Sequence, residues 1–154
     1  MQYFLGIDPG RKGGIALIDE HKNLIYFEPM PCLGDGYNYE LISSMIDKLP
    51  DNTVIILELK PGVMEKSASP TTSFGFHCGT IYGLCYRLNP IIVSPKTWKT
   101  EFSVFRNYKE TREDMKLRSI HAAEQLFKLT FKKNQDGVAE ALLLAEYGRR
   151  HKLG

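Results

Sequence analysis

Four carboxylates in this sequence stand where a carboxylate needs explaining. Asp8 ends the apolar run MQYFLGI and is followed at once by the turn residues Pro9-Gly10. Glu58 closes TVIIL, a run of largely aliphatic residues. Asp136 and Glu140 open DGVAEALLLAEYGRR, and their i, i+4 spacing puts both on one helical face. Glu140 interrupts a stretch that otherwise wants to be buried, so its charge needs a partner, and a cation is the simplest one. Carboxylates without histidine or cysteine make an all-oxygen donor set, suited to Mg²⁺ or Mn²⁺ rather than zinc. Two such ions about 3.5–4 Å apart clamp the attacking and leaving oxygens in phosphodiester hydrolysis. Plainer roles compete with this one. Asp8 in Asp-Pro-Gly suits a turn, Glu58 could pair with Lys60, and Asp136 suits a helix N-cap.

The elements that must position these groups follow from periodicity and turn chemistry. Tyr3–Ile7, Gly14–Ile18 and Asn23–Glu28 read as strands joined by short turns, which favours an antiparallel meander. Tyr39–Leu49 has helical spacing and is followed by Pro50. Thr53–Leu59 is short, β-rich and apolar, as in a strand buried on both faces. A polar loop spans 60–69, a helix runs from Pro70 or Thr71 to about Leu88, Ile91–Val93 is a short strand, and SPKTW opens a short helix. Lys109–Lys128 reads as a long amphipathic helix and Asp136–Arg150 as a mostly apolar one that packs on the sheet. The order predicts an α/β fold: a mixed five-stranded sheet, three antiparallel strands plus two parallel, with helices on both faces. If the first strand and TVIIL are parallel neighbours, Asp8 and Glu58 emerge at the same sheet edge.

Bulk properties bound the reading. At 154 residues, 43% hydrophobic and 25% charged, the chain is expected to form one domain, 1–154, with a real core. MQYFLGI has no basic n-region before it and is too short for a signal peptide, and no run approaches a membrane span of about 20 apolar residues. Three cysteines, Cys32, Cys78 and Cys85, lack metal-ligand spacing and suit packed thiols in a reducing compartment. The expected location is the cytoplasm of a bacterium or phage-infected cell, or an organelle matrix, not a secreted setting. Net charge is only +2, but seven basic residues against four acidic ones fall between Ser94 and Arg118, and Lys128, Lys132 and Lys133 follow. An acidic cluster with a basic second half suits metal chemistry on a polyanion.

Together, GIDPGRKGGIALID, LEL at the strand end, SPKTWKTEF and DGVAEALLLAEYGRR resemble the RuvC-type Holliday junction resolvases of the RNase H-like superfamily, and most closely their phage and chloroplast branch. The resemblance runs in order over nearly the whole chain. It implies a homodimeric, Mg²⁺-dependent endonuclease with two ions per active site, Mn²⁺ substituting, that resolves four-way DNA junctions by paired nicks. The family's catalytic and metal-binding carboxylates carry over to Asp8, Glu58 and Glu140. The fourth is placed at Asp136, a position where relatives vary in residue type and spacing.

The resemblance also organises the neighbouring residues. The 60–69 loop is expected to reach the junction centre, with Met64 or Val63 as a wedge between bases and Lys60 and Lys66 near phosphate. Lys96, Thr97 and Lys99, with backbone amides at a helix start, make a phosphate site. Trp98 suits a core anchor better than a base-stacking residue. Arg112 and Lys116, and Lys109 beside them, are expected to track the DNA backbone. Gly75, Gly79 and Gly83 form an i, i+4, i+8 stripe; it fits either packing on the protein's own sheet or, as the resemblance implies, a homodimer interface. His77 and His121 are expected to be packing or surface residues. Three further readings compete: a nuclease acting on RNA–DNA hybrid, one acting on RNA, and a junction-binding protein without catalysis, which the full carboxylate set disfavours. The Asp-x-Gly opening is shared with sugar kinases and actin-like ATPases, but those need a second comparable domain to enclose nucleotide. No nucleotide cofactor is expected.

Overall fold

The computed structural model describes residues 1–59, 69–105 and 109–154. Lys60, Val63, Met64 and Lys66 lie outside the described residues, as does the alternative pairing of Glu58 with Lys60. β1 (Tyr3–Asp8), β2 (Gly14–Asp19) and β3 (Leu24–Pro29) form the expected antiparallel meander, in which Asp8 faces Gly14 across the turn. After a small hairpin of β4 (Cys32–Leu33) and β5 (Gly36–Tyr37) come α1 (Tyr39–Asp47), β6 (Thr53–Glu58) and α2 (Ser69–Cys85). A 3-10 turn (Tyr86–Leu88), β7 (Ile91–Val93), α3 (Pro95–Glu101), α4 (Arg112–Phe127) and α5 (Asp136–Arg150) complete the order. The sheet runs β3-β2-β1-β6-β7, with β6 parallel to both β1 and β7. This is the mixed five-stranded sheet read from the sequence.

Strand alternation divides the core between two faces. Phe4, Ala16, Ile18 and Ile56 pack under α5 with Trp98 of α3 and Ile120 and Ala123 of α4. Leu5, Ile7, Ile15, Leu17, Ile55 and Leu57 pack on the other side with Ile42 and Ile46 of α1 and Ile81 and Cys85 of α2. α5 lies so close to β1 that a Cβ on Gly6 would stand 2.0 Å from the Ala141 carbonyl oxygen. Only a glycine permits that approach.

Several element boundaries differ from expectation, and α2 ends at Cys85, with the 3-10 turn taking the residues to Leu88. α4 starts at Arg112, not Lys109, because Thr111 and Asp114 form a reciprocal capping box that sets the first turn. α1 ends at Asp47, two residues before the expected Leu49. Among the described residues no helix is long and apolar enough to cross a membrane, and the three cysteines are free thiols.

Candidate functional site

Because β1 and β6 are parallel neighbours, with Ile7 beside Leu57, Asp8 and Glu58 leave the sheet at one edge. The N-terminus of α5 comes to the same edge, where Gly13 and Gly137 form an isolated parallel bridge. Asp8, Glu58, Asp136 and Glu140 consequently line one cleft of about 400 Å³, together with Arg11, Lys12, Lys99, Arg112 and Lys116.

The helices α3 and α4 each hold two of these carboxylates. Trp98, wholly buried on α3, donates its indole N–H to Glu58 Oε2 at 2.8 Å. The neighbouring Lys99 Nζ donates to Glu140 Oε2 at 2.7 Å. From α4, Ser119 Oγ lies 3.0 Å from Glu140 Oε1, and Lys116 Nζ lies 2.9 Å from Asp136 Oδ2. Burial works against the Lys99 ammonium, but the charges of Glu140 and Glu58 outweigh it and its pKa is raised. Like charges so crowded in a half-buried cleft require this compensation.

The turn after Asp8 is held from below. Gly10 N donates to Asp8 O at 3.0 Å and Gly13 N to Gly10 O at 2.8 Å. Tyr37, at the end of the β4–β5 hairpin, donates its hydroxyl to the Pro9 carbonyl at 2.9 Å. Burial pushes that phenol well above its ordinary pKa, so it remains a donor. Tyr37 in turn packs against Tyr39 and against His77 of α2.

The candidates from sequence thus separate. All four carboxylates, Lys99, Arg112 and Lys116 come together. Asp136 is not the N-cap: that place belongs to Gln135, and Asp136 is the first residue of α5, engaged by Lys116. Lys96 and Thr97 are exposed at the start of α3 and do not line the cleft; the Thr97 hydroxyl bonds Ser94 Oγ at 2.8 Å. Lys109 is exposed ahead of α4 and is also absent from the cleft. Gly79 and Gly83 are exposed, with open space where a Cβ would stand, while Cys78, Ile81 and Cys85 take the sheet-facing side of α2. Packing on the protein's own sheet therefore does not account for Gly79 and Gly83. Trp98 is the core anchor expected, His77 packs against Tyr37, and His121 is exposed. Sequence reasoning missed Ser119, Arg11, Lys12 and the hydrogen bond from Trp98. A signal existed for Ser119: Arg112, Lys116 and Ser119 are spaced i, i+4, i+7, one polar stripe on α4.

Among the described residues no three histidine, cysteine, aspartate or glutamate side chains gather as a ready-made metal cluster. The chemistry of the donor set nevertheless fits a hard dication. The carboxylates lining the cleft supply oxygen donors, no histidine or cysteine among the described residues lines it with them, and two of the four already hold a cationic ammonium.

Two solved structures share the architecture over nearly its full length. Thermus thermophilus RuvC in complex with a Holliday junction substrate aligns with a TM-score of 0.61 at 15% identity, covering 98% of this chain and 97% of that one. A further Thermus thermophilus RuvC structure aligns at 0.59 and 14% identity, covering 97% of each chain. No family model and no curated protein matches the sequence. At this identity the likeness speaks to architecture, and the chain has the RuvC-type, RNase H-like fold.

Proposed function

We propose that this chain is a structure-selective DNA endonuclease that resolves four-way junctions by paired nicks, with residues 1–154 acting as one nuclease domain. The observation that carries the reading is the meeting of Asp8, Glu58, Asp136 and Glu140 in one cleft of a RuvC-type fold. These four side chains would hold Mg²⁺ or Mn²⁺, two ions per site. When bound, the ions supply a more acidic water and charge stabilisation at the phosphodiester. Trp98 and Ser119 orient Glu58 and Glu140, as outer hydrogen-bond partners do for metal ligands. Lys99, Lys116 and Arg112 present cations to the phosphate oxygens at the mouth of the cleft. Residues 60–68, which come between Leu59 and α2 in the chain, supply Met64 as the wedge and Lys60 and Lys66 as phosphate contacts. Two copies pair through α2, whose exposed Phe76, Gly79 and Gly83 leave room for a second helix, with exposed Tyr86 in the 3-10 turn that follows. A two-fold dimer places one site on each of two opposed strands. The sequence segments favour the phage and chloroplast branch of resolvases.

The test is cleavage of a substrate panel with Mg²⁺. Paired, symmetric nicks are expected in a synthetic four-way junction, with linear duplex left largely intact. Equal or better cutting of an RNA–DNA hybrid would overturn the junction assignment. Asp8→Asn and Glu58→Gln are each expected to abolish nicking while junction binding in Ca²⁺ persists. Wild-type nicking by either variant would remove that residue from the site.

A further inference from the structure

A second hollow, of about 570 Å³, lies on the far side of Asp136 from the carboxylates of the sheet edge. It shares Arg11, Lys12, Lys116 and Asp136 with the first cleft, so the two are continuous. Its outer wall is Lys132 and Asn134, in the loop that leads into α5. Here four cationic side chains face one carboxylate, and that carboxylate is already matched by Lys116. The first cleft, by contrast, sets four carboxylates against five cations. The balance therefore shifts along one path, from near-neutral where a phosphodiester would be cut to clearly basic where its continuation would lie. Among the described residues no aromatic side chain lines the second hollow to offer a base a stacking platform. Its size falls within the range of about 300–1,000 Å³ usual for ligand pockets.

We propose that this hollow binds the sugar–phosphate backbone of the strand being cut, in the nucleotides next to the scissile phosphate, without reading sequence. The proposal rests on the nuclease reading and gives the substrate strand a direction across the protein. The strand runs from the carboxylates over the Arg11–Lys12 turn toward Lys132, not toward Lys96 and Thr97.

Lys132 tests it, because it lines this hollow and not the catalytic cleft, and it is exposed. Equilibrium binding of the full chain to a synthetic four-way junction in Ca²⁺ is measured over a range of salt. Lys132→Ala is expected to weaken binding and make the slope of log affinity against log salt shallower by about 0.9, the loss of one phosphate contact on duplex DNA. Lys132→Glu is expected to weaken binding further. Lys48→Ala, an exposed residue outside both hollows, is expected to keep the wild-type slope. An unchanged slope in both Lys132 variants overturns the proposal, as does an equal change in Lys48→Ala. Wild type that binds the junction but does not nick it refutes the nuclease reading and leaves the strand path to be judged by these slopes. Wild type that nicks, with slopes unaltered by either variant, refutes the strand path alone. Wild type with no junction binding overturns both.

Discussion

Lys99 holds its charge in the cleft against burial because Glu140 is bonded to it and Glu58 and Asp8 lie near. An ammonium and a hard dication thus answer the same need, the neutralisation of crowded carboxylates. Lys99→Met should show the competition. Without divalent metal the variant leaves Glu140 short of its partner and is expected to lose about 2 kcal/mol of stability, the order of a hydrogen bond between charged groups. Saturating Mg²⁺ should return part of that loss, so the rise in Tm on adding Mg²⁺ is larger in the variant than in wild type. Thermal unfolding with and without Mg²⁺ checks this, and an equal or smaller rise would separate Lys99 from the metal's role. At this scale Asp8, Glu58 and Glu140 were legible because each ends or interrupts an apolar pattern, and Asp136 through its i, i+4 spacing to Glu140. The groups that hold them were not. Trp98 and Ser119 reach Glu58 and Glu140 only through the docking of α3 and α4, which no local spacing encodes.

Elements carry the site through close backbone approach. α5 is pressed against both β1 and the turn that follows Asp8, and Gly137 is where helix and turn touch. A Cβ there would stand 2.0 Å from the Lys12 carbonyl oxygen and 2.5 Å from Gly13 Cα, both backbone atoms that cannot rotate away. Gly137→Ala is therefore expected to cost about 1–3 kcal/mol as the turn and helix separate. Nicking rate should fall more steeply than junction affinity, since Asp8 moves relative to Asp136 and Glu140. Chemical denaturation with single-turnover kinetics checks it, and a variant matching wild type in both would show the contact to be relaxed at little cost. Tyr37→Phe offers a gentler probe of the same turn: it keeps the ring in the core and deletes only the bond to Pro9 O. A loss of about 1 kcal/mol by denaturation is expected; no loss would mean that the hairpin does not brace the turn. The five strands and the long helices could be read from alternation and spacing. The β4–β5 hairpin that delivers Tyr37 could not, because two-residue strands are too short to show a period. The start of α4 was misplaced because charge pattern continues across the boundary that the Thr111–Asp114 capping box sets.

Over the whole molecule α5 links two ionic centres, the carboxylate cleft at its start and a buried group near its end. Glu146, 1% exposed, receives Arg149 Nε at 2.7 Å and Arg150 Nε at 2.8 Å, and Arg150 and His151 also meet Glu101 of α3. Burial works against the Glu146 charge, but the arginine bonds outweigh it and its pKa lies below the ordinary 4.5. A lowered folded pKa means that the unfolded chain takes up this proton first as pH falls. The stabilisation by Glu146 is then fully present above pH 4.5 and is lost as pH drops from there through the lowered folded value. Glu146→Gln should cost about 1–3 kcal/mol at pH 7, on the scale of hydrogen bonds to a charged group. The deficit should stay level down to about pH 5, near the top of this titration, and shrink below pH 4.5 as wild type loses what the variant already lacks. Asp19, Glu113 and Asp114 also have lowered pKa values, but they are common to both proteins and cancel in the difference. Urea denaturation of the pair from pH 7 to pH 3 makes the comparison. A deficit that stays constant through that range would mean that Glu146 acts through packing and neutral hydrogen bonds, and that the far end of α5 is not held by charge.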